Sequence, residues 1–125
     1  DVYKRQTLVT GSAGNKAYDR RKELVEAAEN RIANFIFTAE DTDTEPFIDI
    51  CMEMQGYITN KDVSSTVISD RPTAITHAIY DARAHADRFN ILLIIGKGNE
   101  RWIKDHHKHV PFDGDDHVVE RMFGL

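Results

Sequence analysis

The sequence has little cysteine and no long hydrophobic run, and both absences limit the kind of protein it is. Its single cysteine, Cys51, cannot form an internal disulfide and lies in an apolar stretch typical of a small core residue. This predicts a reducing, cytoplasmic compartment. Apolar residues come in short runs such as 91–95, whereas a membrane-spanning helix needs about 20 of them, so we expect no membrane span and see no signal peptide.

The sequence also has fewer basic than acidic residues. The 125 residues include 21 Asp and Glu against 16 Lys and Arg, for a formal net charge of -5. Affinity for nucleic acid depends mainly on clustered cations that contact phosphates, so this balance predicts no nucleic-acid partner. With 41% hydrophobic residues, the chain is suited to one ordinary soluble domain with a hydrophobic core.

The chain alternates short β-branched segments with helical periodicities. We predict strands at 7–10, 32–38, 63–68 and 90–95, helices at 19–30, 46–55, 71–82 and 114–123, and a hairpin that pairs 101–104 with 108–111. Residues 1–6 lack periodicity and are set aside as an extension or artefact, which leaves 7–125 as one domain. The fold class is α/β: a Rossmann-like three-layer domain with a mostly parallel sheet, covered on both faces, and a C-terminal hairpin.

The loops after these strands are the candidate sites, because ligands bind beyond the carboxyl ends of parallel strands. The first, Gly11-Ser12-Ala13-Gly14-Asn15-Lys16, suits an anion or is a tight turn without a ligand. The second, residues 40–45, has four carboxylates that attract an ammonium group or a cation, or that cap the helix opening at Pro46. The fourth, residues 96–100, sets Lys97 and Glu100 close to two glycines, which suits a substrate with a carboxylate or phosphate and an amine, or is a turn that leads from the strand to the hairpin.

Two other polar clusters are less informative. The histidines at 106, 107 and 109 lie in the turn of the predicted hairpin, where their spacing has no defined metal geometry, so a solvated turn is the better interpretation. The carboxylates Asp113, Asp115 and Asp116 lie at the start of the last helix and are interpreted as its cap. We predict no metal site.

Taken in order, four segments resemble the carboxy-terminal domain of the Mur ligases, of the MurE type. Residues 8–16 with the pair Arg20-Arg21 are similar to the family's Gly-x-Gly-Gly-Asp-Arg turn and downstream Lys-Arg pair. Residues 38–46 fall at the family's Thr-x-Asp-Asn-Pro-Arg segment. Residues 69–75 are similar to its Asp-Arg-x-x-Ala-Ile stretch, and residues 94–100 to its Gly-Lys-Gly-His-Glu turn.

The resemblance implies an ATP-dependent amide ligase that adds the third amino acid to UDP-MurNAc-L-Ala-D-Glu in peptidoglycan synthesis. ATP phosphorylates the terminal carboxylate of this dipeptide precursor, and the amine of the amino acid attacks the acyl phosphate. The implied amino-acid-binding residues are Lys16, Glu40, Asp41, Thr42, Asp43, Gly96 and Glu100. Asn15, Arg21 and Lys97 are implied to lie near the nucleotide or phosphate, and no catalytic residue is assigned.

One departure from the family pattern bears on the substrate. Asp43 stands where the members that add diaminopimelate carry an Arg for the distal carboxylate. An aspartate there repels that carboxylate and attracts a side-chain ammonium, so we expect L-lysine or ornithine rather than meso-diaminopimelate.

No Gly-Lys-Ser/Thr P-loop occurs in the sequence, so the resemblance also implies missing central and amino-terminal domains. The central domain is expected to bind most of the ATP and Mg²⁺, and the amino-terminal domain the UDP group, so we expect no turnover from these residues alone. Two alternatives remain open: a flavodoxin-like or other small-ligand-binding module, and a Mur-like ligase with another acceptor.

Overall fold

The computed structural model describes residues 3–124 as a parallel sheet with helices on both faces, followed by a hairpin and a last helix. The elements are β1 (Lys4–Thr10), α1 (Tyr18–Ala28), β2 (Asn34–Phe37), α2 (Phe47–Gly56), β3 (Ser64–Val67), α3 (Arg71–Ala84), β4 (Phe89–Ile94), β5 (Trp102–Asp105), β6 (Lys108–Pro111) and α4 (Asp115–Met122). The sheet order is β3-β2-β1-β4, with every neighbouring pair parallel, while β5 and β6 pair antiparallel. The predicted α/β class and hairpin are confirmed.

The core lies in two apolar clusters, one on each face of the sheet. Side chains alternate along a strand, so Leu8 joins the cluster with residues of α1 and α2, whereas Val9 joins the cluster with residues of α3 and α4. Cys51 is fully buried in the first cluster, as its apolar surroundings predict, and burial raises the pKa of its thiol to about 12. This arrangement is the predicted three-layer packing.

The start of β1 and the exposure of β4 differ from the prediction. β1 begins at Lys4 and pairs from there with β4, so it includes part of the segment set aside as an extension; Asp1 and Val2 lie outside the described residues. The origin of residues 1–6 stays a prediction.

β4 was expected to be covered on both faces, but it is at the sheet edge, where Phe89 is 66% and Leu93 is 44% exposed. An apolar run predicts that a strand is buried, but it does not show whether the rest of this chain packs over both of its faces.

The first turns of α3 and α2 differ in whether a side chain caps them. Asp70 caps α3, accepting a hydrogen bond from the Thr73 backbone N–H at 3.1 Å. By contrast, α2 begins after Pro46 with no side-chain cap, so the carboxylates before it are not its capping groups. Within residues 3–124, no helix has both the length and the hydropathy needed to cross a membrane.

Candidate functional site

The three predicted loops meet at the carboxyl ends of β1, β2 and β4, where residues 40–46 form a central acidic loop. Gly14 donates its backbone N–H to the Asp41 carbonyl at 2.8 Å. Asn15 donates its side-chain amide to Thr44 Oγ1 at 2.6 Å and its backbone N–H to Glu45 Oε1 at 2.8 Å. These bonds join the first loop to the acidic loop, so the role predicted for Asn15 near a phosphate stays a prediction and its amide is engaged here.

Close packing of these two loops makes Gly14 intolerant of a side chain. A β-carbon at this position would overlap the Thr42 carbonyl oxygen, which belongs to the backbone and cannot turn away. We expect Gly14→Ala to lower the free energy of unfolding by about 1–3 kcal/mol, the usual cost of overpacking. Urea unfolding of the chain measures this change. Gly56→Ala is the matched control, since nothing lies within 4 Å of its added β-carbon, and equal losses in the two variants would contradict the prediction.

Asp43 holds the acidic loop against the hairpin formed by β5 and β6. Its Oδ1 accepts the His107 backbone N–H at 2.6 Å, and its Oδ2 lies 3.6 Å from Lys104 Nζ. The hydrogen bond from His107, more than the nearby positive charges, holds the pKa of Asp43 below its usual range. A substrate ammonium at Asp43 would have to share this carboxylate with the hairpin.

Arg21 is a buried structural cation. Its side chain is fully buried, with NH2 at 2.7 Å from Glu45 Oε1 and NH1 at 3.1 Å from Glu53 Oε1. Its NH2 also donates to the Ala13 carbonyl at 2.9 Å. Because these carboxylates occupy the guanidinium, Arg21 offers no free charge to a phosphate in this conformation.

Lys97 is likewise buried, although the sequence placed it near a phosphate. Its Nζ lies 2.9 Å from Asp41 Oδ1 and 3.1 Å from Glu100 Oε2, and 4.1 Å from the centre of the Trp102 ring. The lysine therefore joins the acidic loop to the turn after β4, and its charge is balanced by two residues predicted to bind the amino acid.

Arg71 fixes the spacing between β2 and β4 directly beneath these loops. Its guanidinium donates from NH1 to the Ala39 carbonyl at 3.0 Å and from NH2 to the Ile95 carbonyl at 2.9 Å. The same group forms a bidentate pair with Asp115, at 2.7 and 2.8 Å. Asp115 is thus the partner of Arg71. No side chain caps α4, and Asp113 and Asp116 pair with Arg121 and Arg101, so the interpretation of these three carboxylates as a helix cap was wrong.

A cavity of about 500 Å³ opens among the strand ends. The residues that line it include Ser12, Ala17, Arg20, Glu23, Glu40 and Gly96. The side-chain carboxylate of Glu40 accepts no hydrogen bond from a described residue. Burial raises the pKa of this carboxyl, while the charges of Arg71, Lys97 and Arg20 oppose that rise. Arg20 is exposed and forms no ion pair with a described residue. The cavity therefore presents the carboxylates of Glu40 and Glu23 and the guanidinium of Arg20, and none of these groups is paired with a described side chain.

Of the remaining residues predicted to bind the amino acid, Gly96 lines the cavity, whereas Lys16 and Thr42 do not. Gly96 meets Glu40 so closely that a β-carbon on it would lie 2.5 Å from Glu40 Oε2, and its φ of +114° also favours glycine. Lys16 is exposed and is not among the residues lining the cavity, while Thr42 contributes backbone bonds to the turn of the acidic loop. The sequence did not reveal Arg20 as a site residue, because nothing in it distinguishes Arg20 from the neighbouring Arg21, which is buried against the core side of α1.

No metal site accompanies these loops in the part of the chain that is described. Across residues 3–124, no three His, Cys, Asp or Glu side chains come together in a way that could hold a metal ion. The histidines of the hairpin turn include His106, whose Nδ1 lies 2.5 Å from Asp105 Oδ1, and His107, which contacts Asp43. These contacts shape the turn.

The chain is similar in sequence to several known proteins, which carry related names. No family model matches the sequence. The chain is 94% identical over 121 residues to a UDP-N-acetylmuramyl-tripeptide synthetase of Bifidobacterium longum, covering 97% of this chain and 23% of that protein. It is 29% identical to a UDP-N-acetylmuramoyl-L-alanyl-D-glutamate--L-lysine ligase of Enterococcus faecalis, over 93% of this chain and 22% of that protein.

A solved structure has the same fold. It is that of a UDP-N-acetylmuramoyl-L-alanyl-D-glutamate--2,6-diaminopimelate ligase, with a TM-score of 0.82 and 25% identity, covering 96% of this chain and 24% of that one. The chain thus spans less than a quarter of the length of the curated relatives reported above. These relatives include proteins named for lysine and for diaminopimelate, so their names leave the amino acid open.

Proposed function

The chain belongs to the Mur ligases of the MurE type, and on that premise we propose that its loops bind the amino acid that such a ligase adds to UDP-MurNAc-L-Ala-D-Glu. We assign residues 7–125 to a carboxy-terminal Mur ligase domain. The observation that carries the amino-acid role is the pair of free, opposite charges, Glu40 and Arg20, on one cavity at the strand ends. A free amino acid is a zwitterion and needs both charges.

The chemistry of the cavity supports a division of roles. Glu40 accepts an ammonium group of the amino acid, since its carboxylate is poorly solvated and has no hydrogen-bond donor among the described residues. Arg20 binds the α-carboxylate, for which the guanidinium fork is suited. Holding both groups orients the amine before it attacks the activated dipeptide, and this orientation is the contribution of the chain to catalysis.

ATP and Mg²⁺ belong elsewhere in this proposal. Mur ligases use ATP to activate the carboxylate that the amine attacks. The two cations of this chain that were expected near phosphate, Arg21 and Lys97, are buried against carboxylates, and no described cluster suits a metal. The described residues therefore do not fit these groups, and we assign their binding to other parts of a full-length ligase, together with the UDP group.

Amino-acid-dependent release of phosphate from ATP tests the proposal. The enzyme is the Bifidobacterium longum relative in which the matching stretch is replaced by this chain, called here the exchanged ligase. L-lysine, L-ornithine and meso-diaminopimelate are compared with UDP-MurNAc-L-Ala-D-Glu as acceptor. We expect lysine or ornithine to be preferred, because Asp43 stands where an Arg would bind the distal carboxylate of diaminopimelate.

Each other outcome has a definite meaning. A preference for diaminopimelate would keep the ligase assignment and reject the electrostatic argument for lysine. If none of the three amino acids stimulated phosphate release, the proposal of an amino-acid site for this reaction would be wrong.

A further inference from the structure

Arg71 connects four elements of the fold through contacts that the proposed function does not use. Its side chain is 0% exposed at the start of α3, and its guanidinium donates to the Ala39 carbonyl after β2 and to the Ile95 carbonyl after β4. It also donates twice to Asp115, the first residue of α4. A guanidinium has five N–H donors, and these four bonds use four of them. Because it is buried, Arg71 can affect the site only through these partners.

The two carbonyl groups follow strands that are not neighbours in the sheet. The order is β3-β2-β1-β4, so β1 lies between β2 and β4. At this edge, the Thr38 backbone N–H donates to the Thr10 carbonyl of β1. The Ile95 backbone N–H donates to the Val9 carbonyl of the same strand. Beyond these bonds, the planar guanidinium of Arg71 spans both chain segments, and its rigid fork fixes how far apart they lie.

Asp115 fixes the direction in which this fork points. Its two oxygens accept from Nε and NH2 of Arg71 at 2.7 and 2.8 Å, so the guanidinium cannot turn without breaking a bidentate pair. Stability alone does not explain the pair, because packed apolar residues in place of a buried ion pair are often equally or more stabilising. A defined geometry does explain it, since apolar side chains would supply no donors to the two carbonyl groups.

The residues that follow these two carbonyl groups are walls of the cavity. Ala39 is followed by Glu40, which lines the cavity of about 500 Å³, and Ile95 is followed by Gly96 on the same cavity. The two walls approach closely, because a β-carbon added to Gly96 would lie 2.5 Å from Glu40 Oε2. We propose that Arg71 is a positioning residue that sets the width of this cavity for the amino acid. This inference rests on the proposed function and adds to it a means by which α4, through its pair with Arg71, acts on the site.

Kinetics of the exchanged ligase separate this role from stability. Arg71→Met breaks the link between the strand ends and leaves Asp115 unpaired, whereas Arg71→Met with Asp115→Leu breaks the same link and removes both buried charges. The double variant should therefore regain thermal stability without regaining the link. In both variants we expect KM for the preferred of the three amino acids to rise about tenfold or more, with kcat and the KM values for ATP and UDP-MurNAc-dipeptide within about twofold. Arg121→Met is the control, because it breaks an exposed ion pair of α4, with Asp113, and its kinetics should not change.

The other outcomes overturn the proposal in different ways. If KM for the amino acid returned to its unmodified value in the double variant, Arg71 would act through stability alone. A rise of equal size in KM for ATP would indicate a general loosening of the chain. If Arg71→Met or the double variant fails to fold, Arg71→Lys decides, because it keeps the charge without the fork; it should still raise KM for the amino acid, and an unchanged KM would reject the positioning role. Absence of amino-acid-dependent phosphate release from the unmodified exchanged ligase would instead reject the proposed function itself, and the positioning role with it.

Discussion

Replacing Arg71 by methionine will lower the free energy of unfolding by about 3–5 kcal/mol, because it leaves the buried Asp115 carboxylate without its partner. The side chain of Arg71 is 0% exposed and that of Asp115 is 7% exposed, so water cannot take over the lost bonds without local opening. The same change also removes the donors to the Ala39 and Ile95 carbonyls, which precede Glu40 and Gly96. Urea unfolding of the chain, with circular dichroism as the probe, measures the loss.

Two further variants separate burial from charge. Arg101→Met breaks another bidentate pair, with Asp116, but both side chains are about 40% exposed, so we expect a much smaller shift in the unfolding midpoint. The double variant Arg71→Met with Asp115→Leu removes both buried charges and should regain part of the stability lost in Arg71→Met. A loss for Arg101→Met as large as that for Arg71→Met would contradict the argument from burial.

The arrangement of the strand ends was predictable because it follows from local patterns. The period of the apolar residues gives the strands and helices, and the parallel topology then brings the loops after β1, β2 and β4 to one edge. The glycines at 11, 14 and 96 could be recognised as points of close approach, and the structure explains each by a neighbouring acidic-loop or strand-end atom. The resemblance to the Mur ligases used these same loops.

The state of each charged side chain was not predictable in this way, because its partner lies far along the chain. Arg71 and Asp115 are 44 positions apart, and Arg21 and Glu45 are 24 apart. Within the sequence, Arg20 and Arg21 are an undifferentiated pair, and only the packing of α1 buries one and leaves the other beside the cavity. The edge position of β4 was missed for a related reason, since strand order depends on pairing that an apolar run does not encode.

Glu40→Gln will raise KM for L-lysine in the exchanged ligase by about 10- to 150-fold, equivalent to about 1.5–3 kcal/mol for a hydrogen bond to a charged group. The glutamine keeps the size of the side chain and removes the charge that would bind the ammonium. Glu26→Gln is the control, because Glu26 is exposed on α1 and its one ion pair with a described residue is with Lys22. An unchanged KM in Glu40→Gln would exclude Glu40 as the ammonium ligand.

The pH dependence of KM distinguishes Glu40 from Asp43 as the carboxyl whose ionisation controls the binding of L-lysine. Only the ionised carboxyl attracts an ammonium group, so KM must rise as the pH falls through the pKa of that carboxyl. Burial raises the pKa of Glu40, while the His107 backbone N–H lowers that of Asp43. If Glu40 is the ligand, the rise in KM begins above the pH range of an ordinary glutamate and disappears in Glu40→Gln. A rise confined to pH values below the range of an ordinary aspartate, and abolished by Asp43→Asn, would assign the ammonium to Asp43 instead.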